Sequence, residues 1–238
     1  MRAILLAAGL GTRLKPITND IPKCLVPIAG KPLLEYWLES LVGIGVDEIL
    51  INTHYLADKV EQYILSSNYR ANIRISYEPV LLGTLNTLRE SSSFIKNNDF
   101  IIVHADNLCL CNWQSFISSF KQRPEDCLGT MMLFETDSPQ SCGIVELDER
   151  GVLQAFHEKV QSPPSNLANA AIYIFESKVL SLITELQEGT CDISLDLIPH
   201  LIGRLNTWRN DGYLRDIGTV ESLIKANSYI EKIDNKRV

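Results

Sequence analysis

The chain has 238 residues, 45% of them hydrophobic and 21% charged, with a formal net charge of −7. This length and composition suit a globular chain with a sizeable core, built as one domain or as one domain carrying an insertion. The acidic balance argues against general affinity for nucleic acid or membrane surfaces, so an anionic ligand must be held by local cations, which singles out Arg13, Lys23 and Lys159. In chain order, Ala3–Leu6 reads as a buried strand. Gly9 and Gly11 then make a turn free of side chains, where backbone N–H groups can come close to a ligand. Pro32 suits the first turn of a helix with the apolar stripe Leu34, Trp37, Leu38 and Leu41, ended by Gly43. Glu48–Asn52 is a second strand, Leu56 to Ile64 a second helix and Ile73–Tyr77 a third strand. Leu85, Leu88 and Ile95 mark a weaker helix, and Phe100–Ala105 has the continuous apolar run of a central strand buried on both faces. This alternation predicts a parallel sheet with helices on both faces, whose ligands bind at the carboxyl ends of the strands. The glycine loop and Asp106 both fall at such ends.

The second half changes character. Trp113, Phe116, Ile117 and Phe120 form a helical core stripe, and Leu128–Phe134 is strand-like. Gly143–Leu147 and Val152–His157 flank Asp148-Glu149-Arg150-Gly151 as a hairpin. Ala170–Phe175 is a strand, followed by helices near Lys178–Leu186 and Ile193–Ile202 and short strands at Leu205–Arg209 and Tyr213–Leu214. Leu223, Ala226, Ile230 and Ile233 place an amphipathic helix near the C-terminus, with 234–238 as a frayed tail. Asp192 and Asp196 read as helix-start and solvent-facing charges, and Asn166 as a loop cap. The six cysteines contain no C-x-x-C, which suits reduced thiols in a cytoplasmic protein. No apolar run reaches membrane-spanning length, and no signal peptide is expected.

A buried strand, a glycine loop, Arg13 and then Lys23 after Pro22 suit the gripping of a polyphosphate. A Walker loop is excluded by Arg13 and Leu14, and a dinucleotide fingerprint by Leu14 where a third glycine is needed. Read alone, the loop is equally a strand-to-loop turn, Asp106 a turn aspartate accepting backbone N–H bonds, Glu78 a solvated loop charge, and Thr219 a helix N-cap.

The longer string Leu6-Ala7-Ala8-Gly9-Leu10-Gly11-Thr12-Arg13-Leu14-Lys15-Pro16-Ile17-Thr18, then Pro22-Lys23 and Pro27-Ile28-Ala29-Gly30-Lys31-Pro32-Leu33, resembles the signature of the sugar-1-phosphate nucleotidyltransferases. The resemblance runs from Met1 to about residue 225. It implies a three-layer, Rossmann-like α/β fold with a mainly parallel mixed sheet and a smaller sugar-binding β insertion. Residues 1–110 would be mainly the nucleotide half, 111–225 mainly the sugar half, and 220–238 a C-terminal helix and tail. It also implies a reaction in which a nucleoside triphosphate and a sugar 1-phosphate give a nucleotide-sugar and pyrophosphate.

Residue by residue, the resemblance assigns Leu6, Ala7, Ala8, Gly9, Gly11, Thr12, Arg13, Lys23, Glu78, Gly83 and Thr84 to the nucleotide. Arg13, Lys23 and Asp106 are the catalytic set, and Asp106 with Asp216 of Asp216-Ile217-Gly218-Thr219 would hold Mg²⁺. Asn107, Gly143, Glu158, Lys159 and Asn169 fall to the sugar phosphate. Cys24 stands where many members have proline, and Leu85 and Asn86 where they have small residues. His104-Ala105-Asp106-Asn107 is similar to the form in guanylyltransferases for D-glycero-D-manno-heptose 1-phosphate, so GTP with that sugar is the expected pair, in the supply of a surface glycan. Mannose-1-phosphate guanylyltransferases and uridylyl- or thymidylyltransferases are the alternative, and an inactive nucleotide-sugar-binding subunit a remote one. Sheet edges and the C-terminal helix offer a surface for a homodimer, which no feature demands. The chain ends where some relatives add a β-helical acyltransferase domain, so that activity is not expected.

Overall fold

The computed structural model describes residues 1–187 and 189–237. Strand β1 (Arg2–Leu6) opens the chain and is followed by one-turn 3-10 helices at Thr12–Leu14, Ile17–Asn19 and Lys23–Leu25. Then come β2 (Pro27–Ile28), β3 (Lys31–Pro32), α1 (Leu33–Gly43), β4 (Glu48–Thr53), α2 (Ala57–Ser66) and β5 (Ile73–Tyr77). Helices α3 (Thr84–Glu90) and α4 (Ser92–Ile95) lead to β6 (Phe100–His104), β7 (Asn107–Leu110) and α5 (Trp113–Lys121). Strands β8 (Gly129–Glu135), β9 (Gly143–Leu147), β10 (Leu153–Glu158) and β11 (Leu167–Phe175) precede α6 (Val179–Glu185). The chain continues through β12 (Leu205–Arg209), β13 (Tyr213–Asp216) and α7 (Val220–Arg237).

Two compact units share the chain, each assembled from three segments. One comprises Ala3–Leu81, His104–Leu110 and everything from Tyr213 onward; the other comprises Met1–Arg2, Leu82–Val103 and Cys111–Gly212. In the first, the glycine-loop unit, β1 neighbours β4, and β4 pairs in parallel with β5 from Ile49↔Ile73 to Thr53↔Tyr77. The apolar stripe of α1 is buried through Leu34, Trp37, Leu38 and Leu41, the face expected from its period. A short antiparallel ladder pairs β7 with β13, from Tyr213↔Leu110 to Asp216↔Asn107. One core cluster (Leu14, Val26, Ile28, Leu33, Leu108, Ile217, Ala226 and Ile230) joins the 3-10 turns, the β2–β3 hairpin, this ladder and α7.

In the second, the hairpin unit, β11 is the hub. It runs antiparallel to β6, β8 and β9, while β9 pairs with β10 and β8 takes β12 in parallel. The register of β11 on β8 slips between Asn169 and Tyr173, where Ala171 has a φ of 55°, so the strand bulges next to Asn169.

Several elements depart from the sequence expectation. The third helix splits into α3 and α4 at Ser91, whose hydroxyl donates back to the Thr87 carbonyl and competes with helix continuation. The helix expected over 193–202 is a π-type turn at Ile193–Leu197 followed by a 3-10 turn at Ile198–Leu201. Pro199 there can donate no N–H to a regular helical ladder. Asp196 is not a solvent-facing charge: its carboxylate accepts the backbone N–H of Cys191 at 2.7 Å and of Asp192 at 2.8 Å. Asp192 does cap the turn, accepting from Leu195 N–H. Helix α7 continues through 234–237, where a frayed tail is expected from the sequence, whereas Val238 lies outside the described residues.

Candidate active site

Four side chains of the glycine-loop unit converge. The backbone enters the region from the end of β1, where Leu6 is buried and its carbonyl accepts the Ala105 N–H at 3.0 Å. Ala8 is buried, Gly9 and Thr12 are exposed, and the carbonyl of Gly11 accepts the Thr18 hydroxyl at 2.7 Å, which closes the loop on itself. Pro22 is extended and delivers Lys23 into a 3-10 turn with only 7% of the residue exposed. The Lys23 ammonium donates to Asp106 Oδ2 at 2.6 Å and to Asp216 Oδ1 at 3.1 Å. Arg13 Nη2 lies 3.5 Å from the other Asp216 oxygen.

The β7–β13 ladder is what brings the two carboxylates together. Asp216 stands opposite Asn107, and the Ile217 N–H donates to the Asp106 carbonyl at 3.0 Å. Gly218 leaves room for the charges: a Cβ there would lie 2.5 Å from Asp216 Oδ2 and 2.8 Å from Arg13 Nη2. Burial works to raise the Asp106 carboxyl, but the neighbouring Lys23 ammonium, with His104 and hydrogen bonds from Lys23 and the backbone, outweighs it. The group sits below its ordinary 3.8 and is ionised at neutral pH. Burial pushes the adjacent Cys24 thiol up to about 12, which leaves it an inert packing residue. Asn107 is buried in the ladder, and its carbonyl accepts the Trp37 indole N–H at 2.8 Å.

Glu78 is also buried, at 4% exposure, rather than a solvated loop charge. Its N–H donates to the Thr53 carbonyl at 2.8 Å, its Oε1 accepts from Asn52 Nδ2 at 2.8 Å, and its carbonyl accepts from His54 Nδ1 at 2.7 Å. Asn52 completes a bridge, because its Oδ1 accepts the Ala7 N–H at 2.7 Å. Sequence reasoning missed Asn52. The available signal was a polar Asn52-Thr53 pair closing an otherwise apolar strand at its carboxyl end. Tyr77, Val80 and Leu81 surround this segment with exposed apolar surface.

A second group forms within the hairpin unit. Glu158 pairs with Gly143 across β10–β9, and Ala168 with Ile144 across β11–β9, so Gly143, Glu158 and Asn169 lie on three adjacent strands. Gly143 must lack a side chain, since a Cβ would strike the Phe156 ring and lie 2.6 Å from Glu158 Oε2. Lys159 Nζ is 3.1 Å from Glu158 Oε1, with most of its side chain exposed. Asn169 Nδ2 donates to the Tyr173 hydroxyl at 2.6 Å, and its Oδ1 accepts the Ala171 N–H at 2.9 Å, so the bulge fixes the amide. Tyr173 is fully buried, and the sequence marks it only as part of the strand Ala170–Phe175. In the same unit, Thr84 follows Gly83 at the start of α3; its hydroxyl accepts the Ile193 N–H at 2.8 Å and lies 3.4 Å from Asp192 Oδ2. Thr84 thus ties α3 to the 191–193 segment.

Among the described residues no three His, Cys, Asp or Glu side chains converge as a metal cage. Asp106 and Asp216 nonetheless fit a hard divalent ion. They supply two carboxylates, the number from which Mg²⁺ is commonly held beside phosphate oxygens, and both already face one cation. No helix among the described residues is long and apolar enough to cross a membrane.

Residues 2–233 match the family described as nucleotidyl transferase. The mannose-1-phosphate guanylyltransferase catalytic subunit beta of Xenopus tropicalis is 30% identical over 244 residues, covering 99% of this chain and 66% of that protein. The glucose-1-phosphate thymidylyltransferase of Streptomyces griseus is 30% identical over 238 residues, covering 97% of this chain and 66% of that protein. The chain thus spans just under two thirds of the length of these relatives. Among solved structures, HddC from Yersinia pseudotuberculosis has a TM-score of 0.79 and 28% identity, covering 96% of this chain and 99% of that one; it was also solved complexed with GMP-PN. These likenesses establish the expected fold, a Rossmann-like α/β structure with a mixed, mostly parallel sheet. With the match extending from the first strand into the last helix, the chain belongs to the nucleotidyl transferase family.

Proposed function

We propose that this protein transfers a nucleotidyl group from a nucleoside triphosphate to a sugar 1-phosphate, releasing pyrophosphate and an activated nucleotide-sugar. The observation that carries this reading is the buried Lys23 ammonium between Asp106 and Asp216, with Arg13 on the second carboxylate. A phosphate oxygen of the sugar 1-phosphate attacks the α-phosphorus in line, and pyrophosphate leaves. That oxygen is anionic near neutral pH and needs no general base, so the protein's work is positioning and charge neutralisation. Arg13 takes the leaving pyrophosphate and Lys23 the charge on the α-phosphoryl group. The backbone from Leu6 to Thr12 seats the triphosphate, and Glu78, Gly83 and Thr84 line the nucleoside. Asn107, Gly143, Glu158 and Asn169 serve the sugar, and Lys159 holds its phosphate as a point charge. Asp106 and Asp216 would hold Mg²⁺, which would supply Lewis-acid and template effects. In this assignment residues 1–110 act mainly on the nucleotide and 111–225 mainly on the sugar.

The substrate pair we assign is GTP with D-glycero-D-manno-heptose 1-phosphate, and the nucleotide-sugar formed from them in the cytoplasm feeds surface-glycan synthesis. The His104-Ala105-Asp106-Asn107 form supports the heptose, and the likeness to HddC, itself solved with GMP-PN, supports a guanine nucleotide. The mannose-1-phosphate guanylyltransferase and glucose-1-phosphate thymidylyltransferase relatives support other pairs on equal terms. The test is pyrophosphate release with Mg²⁺, crossing five nucleoside triphosphates with heptose, mannose, glucose and N-acetylglucosamine 1-phosphates. Preference for GTP and the heptose supports the full assignment; another preferred pair replaces the substrates and keeps the reaction. Nucleotide binding with no release from any pair favours a regulatory subunit.

A further inference from the structure

We infer that Lys23 is the resident cation of the carboxylate pair: its ammonium holds Asp106 and Asp216 in place, and an incoming divalent ion displaces it onto the triphosphate. Metal and nucleotide binding would thereby be coupled through one side chain. The inference rests on the reading of Asp106 and Asp216 as metal ligands.

The geometry carries it. Lys23 Nζ touches Asp106 Oδ2 at 2.6 Å and Asp216 Oδ1 at 3.1 Å, and only 9% of its side chain is exposed. The remaining Asp216 oxygen faces Arg13 at 3.5 Å, so both oxygens of Asp216 lie against a cation. The formal charges of Lys23, Arg13, Asp106 and Asp216 cancel. A divalent ion on these carboxylates needs oxygens at roughly 2.0–2.1 Å. Held that close, the ion would stand against an ammonium already in hydrogen-bond contact with the same groups, and like charges a few ångströms apart repel. One cation has to leave.

Lys23 is the one built to move without unfolding anything. Its backbone is pinned, since the Lys23 carbonyl accepts the Val26 N–H at 3.2 Å and Cys24 and Val26 are buried. Its four-carbon stem is unbranched and can swing the ammonium as a point charge. The carboxylates keep 38% and 51% of their side-chain surface exposed, which gives a small ion access from solvent. The displaced ammonium must find new acceptors, and phosphate oxygens provide them. In the absence of metal the same contact offsets the repulsion between the Asp216 carboxylate at the end of β13 and the Asp106 carboxylate in the turn just before β7.

Mn²⁺ binding without nucleotide, followed by electron paramagnetic resonance of the free ion, tests the inference on wild type, Lys23→Met and the double variant Asp106→Asn/Asp216→Asn. Lys23→Met is expected to bind Mn²⁺ at least about tenfold more tightly than wild type, within the roughly 5–150-fold span of site couplings. The double variant is expected to lose the site. Equal affinities in wild type and Lys23→Met, with binding lost in the double variant, would overturn the displacement and leave the metal site standing. Full binding in the double variant would overturn the metal assignment itself. A second measurement needs no variant: acylation of Lys23 by an amine-reactive ester, read by peptide mass spectrometry, should rise when Mg²⁺ is added to the wild-type protein. Unchanged labelling at saturating Mg²⁺ would refute displacement even if Lys23→Met fails to fold.

Discussion

Lys23 combines burial with charge in a way that makes its removal informative. A buried ammonium is tolerated because Asp106 and Asp216 both accept from it. In the proposed reaction it meets charge that develops on the transferred group. Deleting one such donor costs about 10²–10³ in rate in comparable sites, so Lys23→Ala should lower kcat/KM for pyrophosphate release by at least about 100-fold. Near-normal turnover would remove Lys23 from the catalytic set. Asp106 yields a pH prediction with a definite sign. Its folded carboxyl is held below the ordinary 3.8, so the stabilisation it contributes is present above that value and is lost as pH falls through the lower, folded one. The Tm difference between wild type and Asp106→Asn should therefore be constant near neutrality and shrink below about pH 4. Melts from pH 3 to 7 check this; a gap that widens in acid would contradict the ion pair.

Short elements, rather than the long helices, set the site's geometry. Each charged residue stands within three positions of a member of one core cluster: Arg13 beside Leu14, Lys23 before Val26, Asp106 before Leu108, and Asp216 beside Ile217. Packing at these neighbours fixes the charges through the backbone. Ile217 is fully buried, and truncating a buried isoleucine to alanine costs about 2–5 kcal/mol. Ile217→Ala should lose that much stability in urea unfolding and also reduce activity, although its side chain carries no chemistry. An unchanged midpoint would show the cluster to be dispensable. These elements were also the least legible in the sequence. The stripes of α1 and α5 run for two turns or more and announce their buried faces. By contrast, β7 and β13 have four residues each and β2 and β3 two, too few for a period to register. Ser91 and Pro199 broke two expected helices through local hydrogen bonding and a missing donor, effects that an apolar stripe does not report.

The molecule as a whole interleaves its two units along the chain. The glycine-loop unit needs the stretch from Tyr213 onward to pair β7 and to supply Ile217, Ala226 and Ile230 to its core. A fragment of residues 1–110 should therefore lack a cooperative thermal transition by circular dichroism, even though it carries the whole glycine loop. A cooperative melt of that fragment would show the later segment to be ornamental. The amino-acid sequence by itself determined the alternation of strands and helices, the glycine loop with its cations, and the family signature, because these are local and written in contiguous residues. Only the tertiary structure decided that Asp216 joins Asp106 on one lysine, that Asn52 links Ala7 to Glu78, and that Tyr173 fixes Asn169. Each of those contacts depends on strand register or on a bulge, where one residue of slip would carry the side chain to the other face.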